Sequence, residues 1–119
     1  MAQDFERAVA KDSTSDIDIG TSAVTVITSN SDDAIVGIRL CNILTSQITV
    51  DVYIETDAAG GSNLNCYLIK NAPIPAGSSL ELIDSGSKIV IQNGDELKVK
   101  SNTASSLHCW VSYVDSIST

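Results

Sequence analysis

Between Ile48 and Glu55 the chain places an aliphatic side chain at every second position, so that Ile48, Val50, Val52 and Ile54 alternate with Thr49, Asp51, Tyr53 and Glu55. Only an extended strand gathers such residues on one face, because side chains alternate across a strand but recur every ~3.6 residues around a helix. The pattern predicts the aliphatics facing in and Thr49, Asp51, Tyr53 and Glu55 facing out. A slip of one residue would turn both carboxylates toward the core, so the register is fixed.

The same period recurs along the chain in short segments separated by turn chemistry. Phe5 to Ala10 reads as a short strand, Ile17 and Ile19 share one face, and in Ala23 to Thr28 Val24 and Val26 oppose Thr25 and Ile27. The polar run Ser29 to Asp33 then supplies side-chain to backbone hydrogen bonds that stop a strand. Ala34 to Leu44 is the longest apolar segment, with Ala34, Val36, Ile38 and Leu40 on one face and Ile35, Gly37, Arg39 and Cys41 on the other, which predicts a central strand. Asp57 to Ser62 reads as a hairpin loop leading into Asn65 to Lys70, paired antiparallel with Ile48 to Glu55. Pro73 and Pro75 donate no ladder hydrogen bonds, so Asn71 to Gly77 is expected to cross between sheets. Ser79 to Ile83, Lys88 to Ile91, Glu96 to Lys100 and Leu107 to Val114 complete the set. Asn93-Gly94 is expected to form a two-residue type I′ turn joining two of them.

About eight or nine short strands in 119 residues make one domain, an all-β chain folded as a single antiparallel β-sandwich of jelly-roll-like form. Residues 1–15 read as an N-terminal arm or first short strand, and 16–119 as the sandwich. Composition agrees, with 14 Ile, 10 Val and 8 Leu beside 17 Ser and 9 Thr. β-Branched side chains lose rotamer freedom in a helix and pack well on a pleated surface.

Seven Lys and Arg against fifteen Asp and Glu leave a net charge of −8, so the basic footprint of a nucleic-acid binder is missing. No apolar run reaches the roughly 18 residues of a membrane span, and the start has no stretch of signal-peptide type, so the chain is read as cytoplasmic. Cys41, Cys66 and Cys109 are odd in number and widely spaced, which suits small buried hydrophobes better than a disulfide framework.

Chemistry is sparse. His108 is the sole imidazole, and its strand neighbour Cys109 must point to the opposite face, so no nucleophile and base are paired along the strand. Asp16-Ile17-Asp18-Ile19-Gly20 and Asn30 to Asp33 are the only oxygen-rich clusters, and the first has Ile27 where an EF-hand needs a bidentate Glu. No catalytic residue, cofactor or metal ligand is assigned, and the chain reads as a non-enzyme. A Ca²⁺ ion between loops is left open. What remains is surface: Phe5, Arg39, Tyr53, Tyr67 and Trp110 are the candidate interface residues, and Glu96, Lys98 and Lys100 read as a protected edge or an ion-paired interface.

The stretches Asn71 to Leu82 and Lys88 to Val99, with the Tyr67-Leu68-Ile69-Lys70 strand end, the Gly94-Asp95 turn and the Ala104-Ser105-Ser106 loop, resemble small virion structural proteins of tailed bacteriophages, including phages that infect marine cyanobacteria. The resemblance extends from Ile35 to Val114. It implies a non-enzymatic virion subunit in a tail, neck or capsid decoration, assembled in the host cytoplasm, whose partners are copies of itself and neighbouring virion proteins. The alternative is a carbohydrate-binding module that recognises a host glycan through Tyr53, Tyr67 or Trp110.

Overall fold

A computed structural model of the chain describes residues 4–11, 17–56, 64–83 and 88–115. Residues 12–16 and 57–63 lie outside them, and with them the polar break after Lys11, Asp16 and the loop expected from Asp57 to Ser62. Nine strands run in the order β1 (Asp4–Val9), β2 (Val24–Thr28), β3 (Asp33–Asn42), β4 (Ile48–Thr56), β5 (Leu64–Ile74), β6 (Ser79–Glu81), β7 (Ile89–Ile91), β8 (Glu96–Ser101) and β9 (Leu107–Asp115), with no helix among the described residues.

The strands form two antiparallel sheets. The first has the order β1-β9-β3-β6, with β7 also paired to β3, and the second the order β2-β8-β4-β5. β6 pairs with Arg39 to Cys41 and β7 with Asp33 to Ile35, so together they act as one interrupted strand beside β3. Every connection except β4 to β5 and β6 to β7 passes from one sheet to the other, and the first strand lies beside the last. This is the two-sheet arrangement of a jelly roll.

The core is made by inward residues of both sheets, Ile35, Ile38, Leu40 and Val111 from the first and Ile48, Val50, Val52, Leu97 and Val99 from the second. Its polar crossings are satisfied. Asn42, buried at the end of β3, donates from Nδ2 to the carbonyls of Ser46 at 2.8 Å, Ile74 at 3.0 Å and Pro75 at 3.2 Å, and accepts the Leu44 N–H at 2.9 Å. One side chain thus holds the crossing from β5 to β6 against β3.

Several expectations are corrected by bulges, where one residue is inserted and the parity beyond it flips. In β2 the pairing shifts between Thr25 and Ile27, so Ile27 faces the core opposite Leu97 and no longer opposes Val24. In β3 a shift between Ile35 and Gly37 puts Ile35, Ile38 and Leu40 inside together and sends Ala34 to the outer face. Two shifts where β5 passes β4 wrap the edge strand over Asp51, which is only 7% exposed although its position faces outward. Asn71, at φ 52, donates its N–H to Asp51 Oδ1 at 2.7 Å.

Other expectations change because of strand order. Asn71 to Ile74 continues β5 as an edge strand, where proline is tolerated, and the crossing begins at Pro75. Gln92 to Asp95 does not close a hairpin, because β7 and β8 lie in different sheets. The Asp95 N–H donates to the Gln92 carbonyl at 2.9 Å and Gly94 has φ 95 at the third position, the type II signature in place of type I′. β8 lies between β2 and β4, so Glu96, Lys98 and Lys100 line no edge. Ile19 is fully buried in a single bridge to Leu107 while Ile17 is exposed, so the two do not share a buried face. Of the cysteines Cys109 is buried, Cys41 is half-buried and Cys66 is exposed on the β5 edge.

Candidate functional site

Residues directly opposite in a ladder share a face, so the pairings of the first sheet lay out its outer surface row by row. Phe5, Val114, Ala34 and Val90 form one row across β1, β9, β3 and β7. Arg7, Ser112 and Gly37 form the next, and Val9, Trp110, Arg39 and Glu81 a third, ending on β6. Phe5 is 86% exposed, Val90 56% and Trp110 49%. Exposed Ile17 lines a pocket with Val9 and Trp110 just beyond the third row. Large apolar side chains collected on one face of a water-exposed sheet mark an interaction surface.

The polar groups here are few and largely paired with one another. Arg39 Nη2 donates to Glu81 at 2.8 Å and 3.2 Å, and the carboxylate raises the guanidinium pKa above its ordinary value. Arg7 lies over the Trp110 ring, 6.0 Å from its centroid, at the outer limit of a cation–π contact. Between Arg39, Glu81, Trp110 and Ser112 the surface sinks into a trough of about 480 Å³ with Gly37 in its wall. A Cβ built on Gly37 meets nothing within 4 Å, so the trough opens where that side chain is missing.

His108 and Cys41 are opposite each other on the same outer face, a pairing of thiol and imidazole that the sequence spacing did not suggest. His108 Nε2 is 2.6 Å from Asp18 Oδ1, while the Cys41 thiol donates instead to the Asn42 carbonyl at 3.9 Å. Cys109 points into the core, as alternation requires, and burial pushes its thiol pKa up to about 12. A thiolate is the reactive form, so Cys109 is inert while folded.

The second sheet presents a different outer face. Tyr53 and Tyr67 come together, with ring centroids 5.0 Å apart, and Tyr53, expected to face out, is only 8% exposed. Lys70 Nζ lies 4.3 Å from the Tyr67 ring centroid. Burial raises the Tyr53 hydroxyl pKa, with Lys98 opposing and Tyr67, Glu55 and Asp51 reinforcing the shift. Lys98 pairs with Glu55 at 3.3 Å and Glu96 at 3.7 Å, which outweigh the burial that would lower its pKa. This face is polar and internally satisfied.

The five candidate residues therefore split, with Phe5, Arg39 and Trp110 on the first sheet and Tyr53 and Tyr67 on the second. Arg7, Gly37, Glu81 and Val90 were missed. A parity signal for Arg7 was present in Phe5, Arg7 and Val9 at alternate positions, but nothing in one chain announces that β7 and β6 lie beside β3. Among the described residues no three of His, Cys, Asp and Glu gather as metal ligands, and Asp33 is taken up in the loop before β3, accepting from the Ser29 and Ser31 hydroxyls at 3.0 Å and 3.2 Å.

No family model matches the chain, and no curated protein matches it. Among solved structures, a chain from Bacillus endospore appendages, described as a family of disulfide-linked pili, is similar over 95% of this chain and 84% of its own, with 11% identity and a TM-score of 0.47. The expectation of a bacteriophage virion subunit is corrected: these comparisons return that pilus chain and no phage protein. The residues behind the phage resemblance are turn, edge and core residues of a sandwich, which say how the chain folds and not where it serves. Of the three aromatics on which the glycan alternative rests, Tyr53 is covered, while Tyr67 and Trp110 are 41% and 49% exposed on opposite sheets and form no common platform.

Proposed function

We propose that the chain is a non-catalytic β-sandwich domain that associates with further copies of itself through the outer face of the first sheet. The observation that carries this is the gathering of Phe5, Val90 and Trp110 on that face, while the opposite face is polar and ion-paired. Charge favours a second copy there. Two molecules of net charge −8 repel over most of their surfaces, but here Arg7 and Arg39 balance Glu81 and Asp18. A stable contact needs roughly 800 Å² per partner, and even the smallest cross-section of the molecule measures 30 × 29 Å. The non-catalytic reading is supported by the Cys41 thiol, which lies opposite His108 yet donates to the Asn42 carbonyl and not to the imidazole.

Trp110 is the chain's one tryptophan, so it reports on this face without labelling. Raising the concentration from nanomolar to hundreds of micromolar should shift its emission to the blue in step with the rise in sedimentation mass. A mass that stays monomeric throughout removes the proposal, and a mass that rises while Trp110 emission stays fixed moves the contact to another face.

A further inference from the structure

Phe5 is a knob without a socket in its own chain. It stands 86% exposed on β1, and the cross-strand neighbour on its face is Val114, so its ring gains little from folding. The same face carries a socket without a knob, the trough of about 480 Å³ bordered by Gly37, Arg39, Glu81, Trp110 and Ser112. Its volume exceeds the roughly 300 Å³ at which pockets begin to take drug-sized ligands, so one phenyl ring fits. Resting on the self-association proposed above, we infer that Phe5 of one copy seats in the Gly37 trough of a second, while the second copy's Phe5 seats in the trough of the first.

The geometry needs no distortion. In a face-to-face pair related by a twofold axis, any point on the face can be brought over any other point of its partner, and symmetry makes the exchange reciprocal. An axis lying in the interface, perpendicular to the line from Phe5 to the trough, seats both rings at once. Each ring then stacks against the partner's Trp110 and lies near the Arg39 guanidinium, contacts that aromatic anchors at interface centres commonly make. Gly37 acts as the specificity element, because any side chain there occupies the socket.

Two single substitutions and their mixture test this by sedimentation and light scattering. Phe5→Ala removes the knob and Gly37→Leu fills the socket, and both should leave the far-ultraviolet dichroism and melting temperature close to wild type, since Phe5 is exposed and nothing lies within 4 Å of a Cβ at Gly37. Each variant alone is expected to lose at least tenfold in dimer affinity. An equimolar mixture should recover much of that loss, because the Phe5 of the Gly37→Leu chain still meets an open trough in the Phe5→Ala chain. If the wild type dimerises and neither substitution weakens it, the knob and socket are wrong while self-association stands. If both weaken it and the mixture shows no recovery, the reciprocal seating is wrong. A monomeric wild type overturns this inference together with the proposed function.

Discussion

Asp51 shows how one side chain can set the course of an edge strand. It sits at an outward position of β4, yet it is covered because β5 swells over it, and its Oδ1 accepts the Asn71 N–H at the point where the backbone turns to φ 52. Removing the acceptor leaves a sheltered N–H unpaired, which costs about 1–3 kcal/mol. Asp51→Ala should therefore lower the unfolding free energy in urea titrations by that amount, while Asp51→Asn, which keeps an acceptor oxygen, should cost clearly less; equal losses would show that the bulge holds without the bond. The three thiols make a second test at this scale. At pH 8 iodoacetamide should reach Cys66 first, Cys41 more slowly and Cys109 only after denaturant is added, read by peptide mass spectrometry. Alkylation of Cys109 in the native protein would contradict its burial.

The elements were legible to different degrees, and the reason lies in what a strand's own residues record. The alternation in Ile48 to Glu55 and the extent of Leu107 to Val114 could be read directly, because burial of one face imposes period 2 on the residues that form it. The faces of β2 and β3 could not be followed to their ends, since the inserted residues near Val26 and Val36 are defined only by the register of the neighbouring strand. The Asn93-Gly94 pair misled for a similar reason. It marks a reversal correctly, but whether the chain returns to the same sheet depends on where β8 finds its partners. Two glycines separate these effects experimentally. Gly94→Ala, at φ 95, should destabilise by roughly 1–2 kcal/mol, whereas Gly37→Ala has no positive φ and open space around its Cβ and should leave the unfolding midpoint nearly unchanged. The apolar outer face of the first sheet was visible only in fragments, Phe5, Arg39 and Trp110, because its unity comes from strands distant in sequence.

At the scale of the whole molecule, pH acts through groups whose acidity burial suppresses. The Cys109 thiol rises from 9.0 to about 12, and burial also raises Tyr113, with Glu6, Asp115 and Asp33 adding to the effect, and Tyr53. In each case the unfolded chain gives up its proton first, so above the unfolded pKa it binds fewer protons than the folded one and stability falls as pH rises. The urea midpoint should hold below about pH 9 and decline steadily toward pH 12, with a shallower decline in Cys109→Ala; a midpoint that is flat to pH 11 would show these groups to be open to solvent. The pairing of β1 with β9 has a mechanical consequence of its own. Asp4 lies opposite Asp115 and Val9 opposite Trp110, so residues 4 and 115 sit at the same end of one antiparallel ribbon. Tension applied through those two residues strips the ribbon one rung at a time, like a zipper drawn from its open end, instead of shearing all its rungs together. In an optical trap the molecule should yield at low force when held at 4 and 115 and resist more strongly when pulled along the length of β3 and β9, so a load is better borne along those two central strands than across the open end of the ribbon.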